Sequence, residues 1–284
     1  MSLKLRNTKE FVDPDKFRMV ALIYSLPGSG KTSLVGTCPP EDTIIAACET
    51  GNGSGLLPIA DKGFDCVEPS DMVELEKFCR GEVFPNKKFL VLDSISAMYK
   101  TFIKEAGLKF PRQGSDTEKR KAGIADLADY GVLAELTRRL LNILMSCNPD
   151  KHILVTALEK YDRPNENDAP GTESLIGPDL PGQLFLGVPA FFDFVFRLRT
   201  RPKLKNPADP KSRYYERYLQ TQQSQGVIAK SRAVSKGVSL LDAEEIVDLD
   251  SGKGTIPYLI NKIKTGYTNA SDHQREESPV LLKA

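Results

Sequence analysis

The sequence predicts an α/β fold with a mostly parallel sheet, helices on both faces of that sheet and an antiparallel hairpin at one edge. The first observation is that short apolar runs, typical of buried strands, alternate with segments whose apolar residues recur at helical spacing. The second is that the first apolar run leads directly into a glycine-rich turn that precedes a helix. The predicted strands cover residues 19–23, 43–48, 89–92, 152–157 and 191–200.

The helices are predicted between these strands. A helix that begins at residue 31 is expected to be short, because Pro39 and Pro40 stop it. Residues 71–80 and 95–106 are also predicted to be helical. The clearest amphipathic pattern precedes the fourth strand, and its apolar face consists of Leu133, Leu136, Leu140, Ile143 and Cys147.

The later part of the sheet is predicted to be antiparallel. Residues 212–222 and 226–230 fit a hairpin with residues 224–226 as its turn. The strand before them alternates, with Phe192, Phe194, Phe196 and Leu198 on one face. The opposite face fits either a solvated strand end or an anion-binding row, with Arg197, Arg199, Arg201, Lys203 and Lys205 as its members.

Residues 25–32 read Ser-Leu-Pro-Gly-Ser-Gly-Lys-Thr and match the phosphate-binding pattern G-x-x-x-x-G-K-[ST] except at its first position. In such a P-loop, backbone N–H groups surround the β-phosphate, the lysine reaches the β- and γ-phosphates, and the threonine hydroxyl ligates Mg²⁺. Ser25 replaces the first glycine, which matters only if residue 25 needs a positive φ. The predicted cofactors are therefore ATP and Mg²⁺. The predicted nucleotide-binding residues are Ser25, Pro27, Gly28, Ser29, Gly30, Lys31, Thr32, Ser33 and Thr156.

Polar residues follow three other predicted strands, whose carboxyl ends meet at the ligand crevice of a parallel sheet. Asp93 ends the third strand and fits a Walker B carboxylate, which would lie beside Thr32 and hold Mg²⁺, usually through water. Glu49 follows the strand after the P-loop and fits the base or water-orienting group of an ATPase, with Glu159 as the rival candidate. Thr156 lies in the fourth strand, where a hydroxyl could sense the γ-phosphate.

Lys230 and Arg232 form the last cluster. A strand that carries both to the rim of the sheet would supply cationic fingers to phosphates, in the same chain or in a neighbouring subunit. Two exposed basic residues without such a role fit the sequence equally well. The predicted catalytic residues are Glu49, Lys31, Lys230 and Arg232, and the predicted metal ligands are Thr32 and Asp93.

The composition argues against several classes of protein. The chain has 39 Lys and Arg residues against 38 Asp and Glu residues, so any nucleic-acid site must be a local patch. Its five cysteines form no C-x-x-C pair, which predicts reduced thiols and a cytoplasmic location. Its two histidines are too few for a Cys/His zinc site. We expect neither a signal peptide nor a membrane partner, because no apolar run approaches the ~18 residues needed to span a bilayer.

Three parts are predicted along the chain. Residues 1–17 form an N-terminal arm, residues 18–240 the nucleotide-binding core, and residues 241–284 a C-terminal extension. The extension is expected to hold a short helix at 256–263 and a mobile tail at 267–284.

Together these motifs resemble the RecA-like recombinase ATPase core, and more narrowly the phage-encoded RecA-like nucleotide-binding proteins that include single-strand annealing proteins. The similarity covers about residues 18–235. It rests on the P-loop, on Ala-Cys-Glu at 47–49, on Leu-Val-Leu-Asp-Ser at 90–94, on the long amphipathic helix, and on the tracts at 180–183 and 194–198.

The resemblance implies a slow ATPase linked to DNA, in the cytoplasm of a bacterial host, that promotes single-strand annealing or homologous recombination. It implies that Glu49 is the catalytic carboxylate, that segments 107–123 and 160–182 face DNA, and that Lys230 and Arg232 reach across a subunit interface. The expected partners are single-stranded DNA, further copies of the chain in a head-to-tail ring or filament, and a single-strand-binding protein.

Other functions stay open at this point. A RecA-fold helicase or loader motor would carry the same core motifs, although it usually brings a further N-terminal domain. A nucleotide-binding regulator without significant turnover also fits, because Ser25 departs from the pattern and two bases compete. The 160–182 segment is net acidic, which disfavours contact with phosphates. A P-loop kinase is the weakest alternative.

Overall fold

A mixed β-sheet organises the chain in the computed structural model, which describes residues 13–49, 54–81, 84–109, 129–162 and 174–276. Among these residues, ten strands form one sheet whose main path runs β12-β8-β7-β1-β5-β4-β2-β3, while β6 pairs with β5 and β9 with β7. The remaining two strands, β10 and β11, pair with each other. The strands are β1 (Val20–Ser25), β2 (Thr43–Ala47), β3 (Asp65–Val67), β4 (Phe89–Asp93), β5 (His152–Asp162), β6 (Leu175–Pro178), β7 (Phe194–Leu204), β8 (Arg213–Gln220), β9 (Lys230–Ser231), β10 (Val234–Ser235), β11 (Val238–Ser239) and β12 (Glu244–Val247).

The helices lie between the strands, as the alternation of the sequence predicts. A π-helical turn at Tyr99–Ile103 joins the third helix to the fourth, and segments of 3₁₀ helix occur in several connections, the longest at Ser54–Lys62. The α-helices are α1 (Lys31–Val35), α2 (Met72–Arg80), α3 (Ile95–Met98), α4 (Lys104–Lys109), α5 (Asp129–Cys147), α6 (Gln183–Gly187) and α7 (Ile256–Glu276).

The predicted fold class is confirmed. Strands β7, β1, β5, β4, β2 and β3 are parallel, and β8 and β12 add antiparallel strands at one edge. The parallel pairing brings the carboxyl ends of β1, β2, β4 and β5 to the same side of the sheet. Ser25 of β1 lies opposite Leu158 of β5, and Ala47 of β2 lies opposite Asp93 of β4.

Strand β1 and the residue before it are buried on both faces of the sheet. Consecutive side chains alternate between a core under α2, α3 and α5 and a second core under α1 and α7. The strand can do this because it has neighbours on both edges and apolar side chains at every position before Ser25. The first core takes Val20, Leu22 and Tyr24, and the second takes Met19, Ala21 and Ile23.

Local sequence accounts for the shorter helices. Asp71 caps α2, since its carboxylate accepts hydrogen bonds from the backbone N–H groups of Val73 and Glu74 at 2.8 and 2.9 Å. Gly81 ends that helix with a φ of 67°. Helix α1 is short, as predicted, and gives way to Gly36 after five residues.

The antiparallel edge differs from the prediction in its pairing. Strand β8 pairs with the preceding strand β7, from Arg197 opposite Gln220 to Leu204 opposite Arg213, and not with residues 226–230. The predicted turn forms only an isolated bridge between Ser224 and Val227. The hairpin prediction was wrong because a local turn signal cannot compete with the eight-residue register that β7 offers to β8.

Two loop predictions are corrected in part. Strand β5 continues to Asp162 and pairs with β6 in antiparallel fashion, so the ends of the 160–182 segment form strands. The rest of it, residues 163–173, lies outside the described residues. Residues 107–109 of the other predicted loop belong to α4, and residues 110–123 lie outside the described part of the chain.

The predicted C-terminal extension contributes a strand and a helix. Strand β12 pairs with β8, and α7 packs into the second core. Residues 267–276 of the predicted tail continue α7, and the buried apolar side of this helix extends to Tyr267. Residues 277–284, like residues 1–12 of the predicted arm, lie outside the described residues.

Candidate nucleotide-binding site

The P-loop follows β1 directly and turns into α1. Gly28 and Gly30 have φ values of 73° and 97°, in the region where a side chain is strained. Gly30 is also the residue at which α1 begins, with no side-chain cap, so the first N–H groups of the helix face the turn. The positive φ values therefore explain why glycine occupies these two positions. Pro27 and Ser29 lie in the same turn, and Ser33 lies in the first turn of the helix.

Ser25 fits the position where the usual pattern has glycine. It is the last residue of β1 and has no positive φ, so its side chain causes no backbone strain. Its hydroxyl donates to the Leu26 carbonyl at 3.0 Å and accepts a hydrogen bond from Lys31 Nζ at 3.2 Å. The departure from the pattern is thus accommodated in the structure, and it gives Lys31 an additional partner.

Lys31 is buried in the P-loop. Its ammonium group donates to the carbonyls of Ser25 and Leu26, both at 3.4 Å. Burial lowers the pKa of Lys31, while the nearby carboxylates of Asp93, Glu49 and Glu159 act in the opposite direction. Three carboxylates thus lie near enough to Lys31, at the carboxyl edge of the sheet, to favour its charged form.

Asp93 joins the P-loop to the neighbouring strands. Its Oδ2 accepts a hydrogen bond from Thr32 Oγ1 at 3.0 Å, and its Oδ1 accepts one from Thr156 Oγ1. Asp93 is 6% exposed and Thr156 is fully buried. Thr156 therefore orients the Asp93 carboxylate in this structure, a contact that its sequence position alone does not reveal.

The Thr32 hydroxyl and the Asp93 carboxylate fit a magnesium ion. Both are hard oxygen donors, and they lie within hydrogen-bonding distance of each other at the end of the P-loop. Mg²⁺ takes few protein ligands and completes its octahedron with water and phosphate oxygens. The two predicted metal ligands are thus side by side, as the sequence prediction requires.

Glu49 and Glu159 differ in their surroundings. Glu49 follows β2 and is exposed as a whole residue. Partial desolvation of its carboxylate and the charge of Asp93 raise its pKa, while Lys31 lowers it. Glu159 accepts two hydrogen bonds of 2.8 Å from Arg197, and both side chains are less than 10% exposed. Because both oxygens of Glu159 are occupied by the guanidinium, the geometry favours Glu49 as the free base.

Lys230 and Arg232 lie away from the P-loop of their own chain. Strand β9 pairs with the first two residues of β7, which lie opposite Ala21 and Leu22, four and three residues before Ser25. At the rise of a strand this separation is roughly 10–13 Å along the sheet. Lys230 Nζ donates to the Pro189 carbonyl and Arg232 pairs with Asp193, each at 2.9 Å. The structure therefore does not bring these two residues to the predicted site within one chain.

The predicted basic row is largely neutralised. The Arg199 guanidinium lies 5.7 Å from the Tyr218 ring centroid, a cation–π contact. Paired cations are weaker ligands for an added anion than free ones. Carboxylates pair with three members of the row: Arg197 with Glu159, Arg201 with Glu216 and Glu244, and Lys203 with Glu216.

Sequence reasoning missed Arg217, which the structure brings to the P-loop. Its Nε lies 2.9 Å from the position that a Cβ on Gly30 would occupy. The position depends on the pairing of β8 with β7, where Arg217 is opposite Thr200. No local motif marks this arginine, because a long-range strand register places it.

None of the helices in the described ranges is both long and apolar enough to cross a bilayer.

Comparison with solved structures gives only distant similarities. Solved structures with similar chains include the RadB recombinase, with 18% identity, 73% of this chain and 84% of that chain covered, and a TM-score of 0.39. The flagellar accessory protein FlaH of Methanocaldococcus jannaschii has 12% identity, 86% and 92% coverage and a TM-score of 0.39. A KaiC-like protein of Pyrococcus horikoshii has 14% identity, 83% and 87% coverage and a TM-score of 0.41.

These structural similarities are weak, and the sequence matches no curated protein. The model of the AAA domain family, in contrast, matches residues 18–233, which include the P-loop, Glu49, Asp93 and Thr156. This stretch is most of the chain, and it contains the motifs that bring Thr32 and Asp93 together. The chain therefore belongs to the AAA domain family and carries a P-loop nucleotide-binding domain.

Proposed function

We propose that this chain is an ATP-dependent single-stranded-DNA-binding protein that promotes single-strand annealing or homologous recombination, like the phage-encoded RecA-like proteins it resembles. One observation carries the nucleotide part of the proposal. Thr32 Oγ1 donates to Asp93 Oδ2 at 3.0 Å, although the two residues are 61 positions apart. Two motifs that are separate in sequence thus meet where Mg²⁺ and the phosphates of ATP would bind.

The proposed reaction is slow ATP hydrolysis. Lys31 binds the β- and γ-phosphates, and Glu49 orients the attacking water and accepts its proton. Its raised pKa supports this role, since a base works best when its pKa is closer to the working pH. Mg²⁺, when bound, would neutralise charge on the phosphate oxygens, with Thr32 and Asp93 as its protein ligands.

The proposed assembly is head-to-tail. Lys230 and Arg232 lie at the opposite end of β1 and β7 from the P-loop, so they are available to the site of a neighbouring subunit but not to their own. A repeated contact between one end of the sheet and the other is a heterologous interface, which yields rings or filaments. ATP at that interface would control both assembly and DNA affinity.

The DNA part of the proposal rests on the resemblance and on one exposed aromatic residue. Tyr161 is 58% exposed at the end of β5, next to Lys160, at the edge of a segment expected to face DNA. An exposed aromatic ring beside a cation suits stacking on the bases of a single strand. The free cysteines support a reducing, cytoplasmic location, and a single-strand-binding protein of the host is a proposed further partner.

Sedimentation with labelled single-stranded DNA tests the proposal. We expect large complexes that form with Mg²⁺ and a non-hydrolysable ATP analogue and that weaken as salt rises, because phosphate contacts release counterions. Lys31→Ala should prevent the nucleotide-dependent increase. Duplex DNA of the same sequence is the control ligand and should bind less.

Two results would redirect the assignment. A protein that binds nucleotide but no DNA at low salt would fit a nucleotide-binding regulator or a kinase. A protein that unwinds a tailed duplex with ATP would fit a helicase or loader motor. Either result would contradict the annealing function while leaving the P-loop in place.

A further inference from the structure

Arg217 lies against the P-loop with no polar partner in the part of the chain that the structure describes. Its side chain reaches from β8 to the glycine turn, where a Cβ on Gly30 would meet its Nε at 2.9 Å and its Cδ at 3.5 Å. The residue is half-buried, and its Nε is buried with no hydrogen-bond partner among the described residues. A cationic side chain from outside the sequence motif thus lies against the phosphate-binding turn.

Three other cations of the same two strands are paired with carboxylates. Arg197 has Glu159, and Arg201 and Lys203 share Glu216. Arg217 has no such carboxylate among the described residues. A buried donor of a charged group is costly to leave unpaired, so an unpaired guanidinium at this position indicates a ligand site.

The chemistry of the turn limits what that ligand is. Gly30 precedes Lys31, and the N–H groups of a P-loop surround the α- and β-phosphates of a nucleotide. A guanidinium presents several N–H donors in a plane that matches phosphate oxygens. The N–H groups of the turn and the guanidinium beside it are therefore donors of the kind that an anion with many oxygens requires.

We infer that Arg217 donates hydrogen bonds to the α- or β-phosphate of the nucleotide bound to its own chain. The inference rests on the proposed nucleotide site and adds to it a binding residue in the same chain, distinct from Lys230 and Arg232. It also gives the antiparallel edge a role, because the register of β8 on β7 determines where Arg217 lies. A contact to these phosphates strengthens the binding of ATP and of ADP alike.

Binding of ATP and ADP to Arg217→Gln tests the inference. Glutamine keeps part of the side-chain stem and removes the charge, and the affinity for both nucleotides should fall by about tenfold or more, the effect of losing a hydrogen bond to a charged group. Arg217→Lys keeps the charge and should lose less. Arg199→Gln is the matched control, since Arg199 lies on the opposite face of the same two strands and contacts Tyr218. Its nucleotide affinity should equal that of the wild type.

The outcomes separate this inference from the proposed function. If the wild type binds, Lys31→Ala does not, and Arg217→Gln binds as the wild type does, the inference is overturned and the P-loop assignment stands. If the wild type binds no nucleotide, the proposed function fails and this inference is overturned with it. The increase in Tm that ADP produces is measured within each variant, so a purely structural loss in Arg217→Gln would lower the Tm without ADP but leave that increase unchanged, and would also overturn the inference.

Discussion

At the scale of single residues, the carboxylates near the P-loop differ in how far their oxygens are occupied. Asp93 accepts hydrogen bonds on both oxygens, from Thr32 and Thr156. Glu159 is held on both oxygens by one guanidinium. Glu49 keeps its carboxylate at the exposed rim, with a raised pKa. Of these three groups, Glu49 is the one whose environment suits proton transfer.

Glu49→Gln should retain ATP binding and lose hydrolysis. Removal of a general base typically costs ~10²–10⁴ in rate, whereas the phosphate contacts of the P-loop stay intact. The wild-type rate should rise with pH through the raised pKa of Glu49, because the base acts only when deprotonated. Phosphate release and equilibrium binding of ATP are the measurements.

Glu68→Gln, at an exposed acidic residue, is the control for the loss of one negative charge near this side of the sheet. It should hydrolyse ATP as the wild type does. If Glu49→Gln keeps the wild-type rate while Glu159→Gln loses it with binding intact, Glu159 is the base and Glu49 is excluded from the mechanism.

His152 makes stability depend on pH. Its Nδ1 accepts a hydrogen bond from the Met19 N–H at 2.8 Å, and its ring stacks on Phe89. Burial, with smaller effects of Lys264 and Arg18, lowers the pKa of His152 to about 4 from its ordinary 6.5. Between these two values the unfolded chain binds a proton that the folded chain does not. The contribution of His152 to the free energy of unfolding is therefore fully present above pH 6.5 and is lost as the pH falls towards 4.

Urea unfolding at pH 7 and pH 5 measures this effect. The wild type should lose about 2 kcal/mol of unfolding free energy from His152 between these values, on top of what carboxylates contribute. His152→Gln should show a correspondingly smaller loss. His273→Gln, at the only other histidine of the sequence, should behave as the wild type. An equal pH dependence in all three proteins would contradict the assignment.

At the scale of elements, α7 belongs to the second core. Leu259 is fully buried between this helix and the sheet. Leu259→Ala should reduce the unfolding free energy by about 2–5 kcal/mol, because it removes buried methyl groups and leaves a cavity. Leu57→Ala is the matched control, as Leu57 is 71% exposed, and it should change stability by less than about 0.5 kcal/mol. Equal stability of the two variants in urea would show that α7 does not support the core.

The sequence predicts elements well where the signal is local. Gly28, Gly30, Lys31 and Thr32 form one short motif, and a strand ending in Asp93 is recognisable from its apolar run. The position of Arg217 beside the P-loop could not be predicted, since it depends on the register of β8 on β7. Long-range strand pairing also explains why the predicted hairpin partner was wrong. The basic residues of β7 share one face, as predicted, but the carboxylates that pair with them come from other strands.

At the scale of the whole molecule, a site shared between subunits predicts complementation. Lys31→Ala removes the P-loop cation, and the double variant Lys230→Ala, Arg232→Ala removes the proposed fingers, so each protein alone should hydrolyse little ATP. Mixed in equal amounts, they form some interfaces with an intact P-loop on one side and intact fingers on the other. About one quarter of the interfaces in a random mixture would be complete.

ATP hydrolysis of the mixture, compared with the sum of the separate proteins, is the measurement. Hydrolysis well above that sum supports a shared site. Full activity of the double variant alone would show that Lys230 and Arg232 have no catalytic part. A mixture of Lys31→Ala with Glu49→Gln is the control, since both changes lie on the same side of the interface and cannot complement.

Strand β1 separates the two apolar cores, and this limits which substitutions the strand can accept. A change at Leu22 must be compensated among α2, α3 and α5, whereas a change at its neighbour Ile23 must be compensated in α1 or α7. Deleting or inserting one residue would exchange the two sets and shift the P-loop by about 3 Å relative to Asp93. Compensating substitutions should therefore fall into two independent groups. The β1 members of the two groups alternate along the strand and lie on opposite faces of the sheet.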